Sequence, residues 1–486
     1  MIRTIQGSAD RYFFQVANVQ SGGSWCVWTA VLTVSFGVIA FWAKQSWLLP
    51  FFLPAAYLTL ALVLVRTLRT WRDPLNPLCL VLIIGLVRFL VPGFLIMNGA
   101  ELEGEFKDLI DAMRISDTDW QWANVLALIG MLSVVLGWLS IQKPSERQKH
   151  LKFYVSETVK YASIIGMVIG GLAIFAFIVM NASLGVIVSG GFRSATIEVG
   201  TGKYFFLAYL LISGCVLLSC YFLARGRTRI SMVPPFIAAL LYWGLGGRNR
   251  AMAPIAGGLL LLWYYGRETK SWKKVTLTPK YVALAIVIPV CVVWLSYVGL
   301  LYRGESGVGL SAFSEALSIS GFSQHVKQSI FSDLGQLQGL AGAIAIGPGV
   351  LRGDTFIGAL SWPLSKVISV PGRSAGVFIV EELVGFGSDQ PRWGFNASLI
   401  GDAYLNFGFG AVVVITLLFG ALIKLLYVKF RSGDLHCAIY TLAVVSAVQA
   451  FWVSIEVWPQ ALTVIGFAVS LLFFGSTILR VKSGQA

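Results

Sequence analysis

A polytopic bundle of membrane-spanning α-helices, roughly a dozen of them at the usual spanning length, is the fold this sequence predicts, and three observations predict it. Hydrophobic residues make up 57% of its 486 positions and charged residues only 12%, with a mean hydropathy of +0.77. A chain of this length that folded in water would need a far more polar surface. Apolar runs long enough to span a ~30 Å hydrocarbon core recur along the whole chain. Finally, basic residues alternate between the two sides of those runs in the pattern that orients membrane helices.

The runs occupy residues 26–43, 47–65, 78–97, 120–140, 161–180, 204–224, 232–246, 251–266, 281–300, 398–423, 436–453 and 460–479. Backbone polar groups in lipid must be satisfied within their own segment, so each run is expected to be helical. Those at 232–246 and 251–266 are short for a full crossing. Residues 1–20 are polar and mixed, with no apolar core of a cleavable signal.

A net charge of +14 would point to nucleic acid in a soluble protein. Here its distribution argues for a membrane and against a nucleic-acid partner. With both termini inside, the cytoplasmic segments hold Arg66, Arg69 and Arg72, then Lys143, Arg147, Lys149, Lys152 and Lys160. Further along they hold Arg225, Arg227 and Arg229, then Arg267, Lys270, Lys273, Lys274 and Lys280, then Lys424, Lys429 and Arg431. The connection after the third run is acidic instead, with Glu101, Glu103, Glu105, Asp108 and Asp111. Short-loop basic bias of this kind sets topology.

All six cysteines fall in runs or at cytoplasmic ends, which implies no disulfide framework. Of three histidines only His325 is extracytoplasmic, so a histidine-based zinc site is not expected; no cofactor of another kind is expected either. Trp42, Trp47, Trp120, Trp122, Trp452 and Trp458 fall at the outer ends of runs, where an aromatic belt would anchor the protein in its membrane lipids.

Three regions follow: a bundle of about nine spans over 1–300, a long outer loop over 301–396, and three further spans over 397–486. The loop is patterned rather than disordered. Phe313, Leu317, Phe322, Val326, Ile330 and Leu334 have helical spacing, and a second amphipathic piece runs from Thr355 to Val370. Gly347-Pro348-Gly349 and Pro371-Gly372 punctuate it. A long structured loop over a helical bundle is the expected cover of a site.

Several charges need an explanation. Arg248 and Arg250, in Trp243-Gly-Leu-Gly-Gly-Arg-Asn-Arg250, face outward and break the positive-inside pattern. Arginines near membrane depth are costly unless they meet anions, so this turn is a candidate phosphate cradle. Arg373 and Arg392 flank Glu381 and Glu382 in the loop and either join that anion site or pair with those acids. Asp402, Tyr404 and Asn406 concentrate polar groups where the chain re-enters lipid, although the helix dipole alone would favour a carboxylate in a first turn. Arg88 lies inside a span, either lining a cavity or snorkelling outward. Phosphate-binding glycine loops, metalloprotease motifs and serine elbows are all missing from the sequence.

Gly246-Gly247-Arg248, the long outer loop and Gly401-Asp402-Ala-Tyr404-Leu-Asn406-Phe407-Gly408-Phe-Gly410 together resemble the oligosaccharide repeat-unit polymerases of the O-antigen, Wzy type. The stretch from Gly353-Asp354-Thr355-Phe356 to Pro371-Gly372-Arg373 is similar to that family's loop, except that Gly372 intervenes between Pro371 and Arg373. The resemblance implies a membrane-embedded glycosyltransferase with a GT-C-like bundle in the bacterial inner membrane, its site facing the periplasm or exterior. It also implies an undecaprenyl-pyrophosphate-linked oligosaccharide as substrate, a possible chain-length regulator as partner, and no metal.

The chemistry expected is transfer of the growing glycan to the non-reducing end of a new lipid-linked unit. Arg248, Arg250 and one of Arg373 or Arg392 would neutralise the departing pyrophosphate, with Arg88, Tyr404 and Asn406 as further binding candidates. Asp402, Glu381, Glu382 and His325 are the candidate bases, and a single displacement would invert the anomeric centre. The rival expectations are an O-antigen ligase, or a twelve-span transporter or flippase.

Overall fold

The computed structural model describes residues 24–44, 46–71, 73, 75–90, 92–93, 113–141, 156–181, 202–244, 248–269, 337–361, 374–385 and 396–482. The regular elements among these are all helical. Helices α1 (Ser24–Ala43) and α2 (Leu49–Trp71) come first, then α3 (Pro77–Gly85), which runs on into a π-helical turn at Leu86–Leu90. Next are α4 (Asp117–Ser140), α5 (Glu157–Asn181) and α6 (Gly202–Ala224). A single turn at Thr228–Ser231 leads into α7 (Val233–Gly244) and then α8 (Arg248–Glu268).

The C-terminal part contributes α9 (Leu337–Ile346), α10 (Asp354–Ser361), α11 (Ala375–Val384), α12 (Ser398–Phe407), α13 (Phe409–Arg431), α14 (Cys437–Trp452) and α15 (Trp458–Lys482). Seven of the described helices, α1, α2, α4, α5, α6, α13 and α15, are long and apolar enough to cross a membrane. The chain is therefore a multi-pass helical membrane protein. Of the twelve predicted runs, the one at 281–300 lies outside the described residues.

Local chemistry accounts for the starts of several helices. Asn76 caps α3 by accepting from the Cys79 N–H at 3.0 Å, and Pro77 follows at the first helical position, where no N–H is needed. Ser116 and Asp119 form a reciprocal capping box at the start of α4. Lys429 and Arg431 close α13, where cations complement the helix dipole.

Two helices form the centre. In α4, 83% of the apolar window is buried, and in α6, 78%, against 39% or less in the other five spans. Around α4 pack α1, α2, α3, α9, α12 and α13, and around α6 pack α5, α7, α8 and α15, while α14 touches both groups. Glycine brings the two tightest pairs together. A Cβ on Gly137 of α4 would lie 1.8 Å from the Leu417 carbonyl oxygen, and one on Gly420 of α13 would lie 2.1 Å from that of Val134. At the other centre a Cβ on Gly170 of α5 would lie 2.4 Å from the Leu211 nitrogen. Such approach is how membrane helices gain packing without a hydrophobic drive between them.

Several expectations change. The run at 398–423 is not one helix: Gly408, at φ +83°, ends α12 and α13 restarts at Phe409. The Gly408 N–H caps the Tyr404 carbonyl at 2.9 Å, in a conformation that glycine adopts without penalty. The segment at 251–266 is longer than expected, since α8 begins at Arg248 and has 21 residues. The run at 78–97 is interrupted by the π turn. Within the predicted outer loop, α9 is buried from Leu337 to Ile344 against α4, α11 and α12.

The aromatic belt also needs correction. Trp42 and Trp47 are exposed as expected, but Trp120, Trp122 and Trp452 are core residues. Their ring neighbours explain why, with Trp122 edge-on to Phe41 at 5.5 Å and Trp452 packed on Phe89 at 5.2 Å. Aromatic partners from distant helices draw these rings inward instead of leaving them at the headgroups.

Candidate functional site

The bundle has two chemically different ends. Asp73, fully buried, defines one of them. Its carboxylate accepts from the Trp263 indole N–H at 3.1 Å, the Tyr427 hydroxyl at 2.8 Å and the Leu75 N–H at 3.3 Å. Arg267 pairs with it at 3.1 Å. The connection after α2 thereby holds the C-terminal ends of α8 and α13. Tyr264 adds a bond to the Leu75 carbonyl at 3.1 Å, and Tyr440 at the start of α14 stacks on Phe430 with centroids 3.9 Å apart. This is the end where the basic clusters around Arg69, Arg267 and Arg431 converge.

Arg248 and Arg250 lie on the first turn of α8, nineteen and seventeen residues before Arg267. At 1.5 Å per residue they stand about 25–30 Å from Asp73, at the opposite end. The backbone places them there, and their side chains lie outside the described residues, as do Arg373, Arg392 and His325 altogether. Cations at a helix N-terminus oppose the macrodipole, so helix stability does not explain them. An anion would gain from both the guanidinium groups and the N–H groups of such a turn.

At the same end, α12 is buried from Ser398 to Asn406. Its polar residues Ser398, Asp402 and Asn406 recur every four positions and form one stripe. The stripe stitches three segments together. The Ser398 N–H donates to the Val453 carbonyl at 3.0 Å, and the Ile455 N–H donates to Asp402 Oδ2 at 2.7 Å. Asn406 donates to the Asp402 carbonyl at 2.7 Å and to the Thr355 hydroxyl, and it accepts from the Thr355 N–H at 3.3 Å. The carbonyls of Tyr404 and Leu405, which end α12, accept from the Gly349 and Leu351 N–H groups at 3.0 and 2.9 Å. A helix end buried in protein needs such partners.

Asp402 thus holds the start of the turn at Ile455–Val457 and has no exposure to solvent. Tyr404 is also buried, its ring edge-on to Phe41 at 6.2 Å, and Phe41 stacks on Phe409 at 4.5 Å. Ser398 adopts φ +61°, unusual for a residue with a side chain, at the entry to α12.

The other two carboxylates have a different setting. Glu381 and Glu382 end α11, which packs on α9 and α12 through Ala375, Phe378, Ile379 and Val380. Glu381 is half-buried and Glu382 exposed, and neither forms an ion pair with the described residues. Arg88, half-buried, sits in the π turn that ends α3. Such turns often mark functional positions, because the widened helix re-aims its side chains.

The structure therefore gathers Asp402, Tyr404 and Asn406 on one buried helix and puts Glu381 and Glu382 on its neighbour. The first turn of α8 lies at the same end of the bundle. Sequence reasoning did not single out Asp73, Asn124 or Gln338, all buried. Asn124 did carry a signal, being an amide inside an apolar run, and polar groups within spans are costly. It donates to the Tyr57 hydroxyl at 3.5 Å, and a Cβ on Gly93 would come within 3.0 Å of it.

A family model described as O-antigen polysaccharide polymerase Wzy matches residues 26–330. Arg88, Arg248, Arg250 and His325 fall inside the matched segment, whereas α9 through α15 follow it. No curated protein and no solved structure matches the chain.

Proposed function

The chain belongs to the O-antigen polysaccharide polymerase Wzy family, and on that footing we propose that it extends a surface polysaccharide from polyprenyl-pyrophosphate-linked repeat units. It is a repeat-unit polymerase of the multi-pass membrane type. The finer reading is a GT-C-like enzyme of the bacterial inner membrane with both termini cytoplasmic and its site on the far side. The positive-inside pattern supports that orientation, as does the gathering of the basic ends around Asp73. The family assignment favours this reading over the ligase and the transporter.

The single observation that carries the site is the pair of arginines on the first turn of α8, at the end opposite Asp73. In the proposed reaction a hydroxyl oxygen of the new unit's non-reducing sugar attacks the anomeric carbon of the growing glycan. A carbon–oxygen bond forms, and the bond to the carrier's phosphate oxygen breaks. The electron pair leaves on polyprenyl pyrophosphate, and the anomeric centre inverts. Arg248 and Arg250 neutralise the charge that develops on the leaving group, with Arg373 or Arg392 as a third contributor. A preorganised donor of this kind contributes about 10²–10³ in rate.

The hydroxyl proton goes to a carboxylate. Glu381 and Glu382 are accessible, whereas Asp402 is enclosed and already accepts from the Ile455 N–H. We therefore assign the base to the α11 pair and give Asp402, Tyr404 and Asn406 the task of holding α12 beneath them.

The test uses full-length protein in lipid nanodiscs, a polyprenyl-pyrophosphate-linked repeat unit of its source, and glycan length on a gel. A ladder of longer lipid-linked products is expected, lost in Arg248→Ala and in one of Glu381→Gln or Glu382→Gln. A normal ladder from both Arg248→Ala and Arg250→Ala would remove the arginines from the site.

A further inference from the structure

At the basic end, on the flank made by α5, α6 and α7, charge and apolar surface combine in a way that extension of a glycan does not use. Lys160 and Arg225 both pair with Glu157, Lys160 at 3.6 Å. The Tyr221 hydroxyl donates to the same carboxylate at 2.5 Å. The Arg225 guanidinium lies 5.0 Å from the centre of the Tyr221 ring, and the Lys160 ammonium 5.0 Å from that of Tyr161. Arg227 and Arg229 follow, both exposed and neither ion-paired with the described residues. One carboxylate thus answers two of the four cations, leaving a local excess of positive charge that faces outward.

Within about two turns of these cations two exposed apolar stripes begin. Along α7 they are Val233, Phe236 and Leu240, each more than half exposed. Along α5 they are Ile165, Val168 and Leu172, also more than half exposed. The two helices flank α6, which is mostly buried between its neighbours. Spacings of three, four and seven residues keep each stripe on one helix face, directed along the span.

We infer that the cluster of Lys160, Arg225, Arg227 and Arg229 is a binding site for an anionic phospholipid. The phosphate is held by the guanidinium groups at headgroup level, and the acyl chains lie along the stripes of α5 and α7. Arginine suits this task because its planar fork pairs with two phosphate oxygens at once. Tyr161 is exposed at the level where such rings are favoured, Tyr221 is buried beneath the cluster, and the faces of both keep the cations oriented. The pairing with Glu157 fixes two of the four cations before any lipid arrives, which lowers the ordering cost of binding. A soluble acidic ligand would satisfy the charges but not the stripes, which continue for several turns into the span.

The experiment uses the full chain in phosphatidylcholine vesicles with a photoactivatable phosphatidylglycerol probe, and adducts are mapped by peptide mass. Adducts are expected on peptides covering 157–172 and 221–240, with the phosphatidylcholine version of the probe labelling them much less. Arg225→Gln, Arg227→Gln and Arg229→Gln together should lower this preference by about fivefold for each charge removed. The corresponding triple change to Lys should keep most of it, and raised salt should weaken it in the unaltered protein. Equal labelling by both probes, adducts spread evenly over all the basic helix ends, or an undiminished preference in the glutamine variant would each overturn the site. The mapping needs no substitution, so it decides the matter even where a variant fails to fold.

Discussion

The two ends of the bundle solve the same problem, burying polar groups between helices, in opposite ways. Around Asp73 a full charge is enclosed and answered by an arginine, an indole, a phenol and a backbone N–H, drawn from the ends of two helices and one short connection. Around α12 the buried groups are held mostly by backbone contacts, with the Thr355 hydroxyl added, to short elements that do not span: α10, the 347–353 turn and the Ile455–Val457 turn. The first end is a knot of spanning helices. The second is a platform of short elements, at the end of the bundle where the first turn of α8 also lies. Stability and chemistry are therefore separable, and a substitution at each end should report a different quantity.

Asp73→Ala should give the largest loss of stability. It removes the buried carboxylate that pairs with Arg267 and accepts from Trp263 and Tyr427, a defect that costs about 3–5 kcal/mol when both partners are enclosed. Arg267 keeps 27% of its side chain exposed, which moves the expectation toward about 3 kcal/mol. Asp73→Asn, which still offers an oxygen to Trp263, should lose less. Thermal unfolding in detergent measures both, and an unchanged midpoint for Asp73→Ala would show that the knot does not hold the bundle. Arg248→Ala should do the reverse, lowering extension about 10²–10³-fold with the unfolding midpoint kept. If its midpoint fell as far as that of Asp73→Ala, the separation of the two ends would be lost.

Gly420→Ala tests the wall between the ends. Its methyl would enter the Val134 carbonyl, and the tight fit of Gly137 against Leu417 prevents the helices from sliding apart cheaply. A loss of about 2–3 kcal/mol is expected from overpacking, and a neutral result would mean that α4 and α13 separate freely. Thr355→Val is the mildest probe. It keeps shape and removes one hydroxyl from Asn406, which still donates to the Asp402 carbonyl, so about 1 kcal/mol is expected. A larger fall in extension than in stability would place Thr355 in contact with substrate rather than beneath it.

Legibility differed between the ends in a way their chemistry explains. The arginines at 248 and 250 stood out in the sequence because charge at membrane depth violates a strong rule. So did the polar residues of 402–406, for the same reason. Asp73 did not, because a carboxylate in a basic connection looks like an ordinary solvated loop residue. Its burial comes from Trp263, Arg267 and Tyr427, separated from it by 190 residues and more. The tryptophans misled in the same manner: position at the end of a run is local, but the Phe89 and Phe41 rings that bury Trp452 and Trp122 are not.

By itself the sequence determined that this protein is a helical bundle in a membrane, where its basic ends gather, and which family it resembles. These follow from solvation, since each apolar run must satisfy its own backbone in lipid and each short basic loop resists translocation. Only the tertiary structure decided that the run at 398–423 breaks at Gly408, that α9 is buried, and that Asp402 is enclosed while Glu381 and Glu382 stay accessible. Those outcomes depend on which distant backbone N–H or ring meets each group, and hydropathy is the same whichever partner arrives.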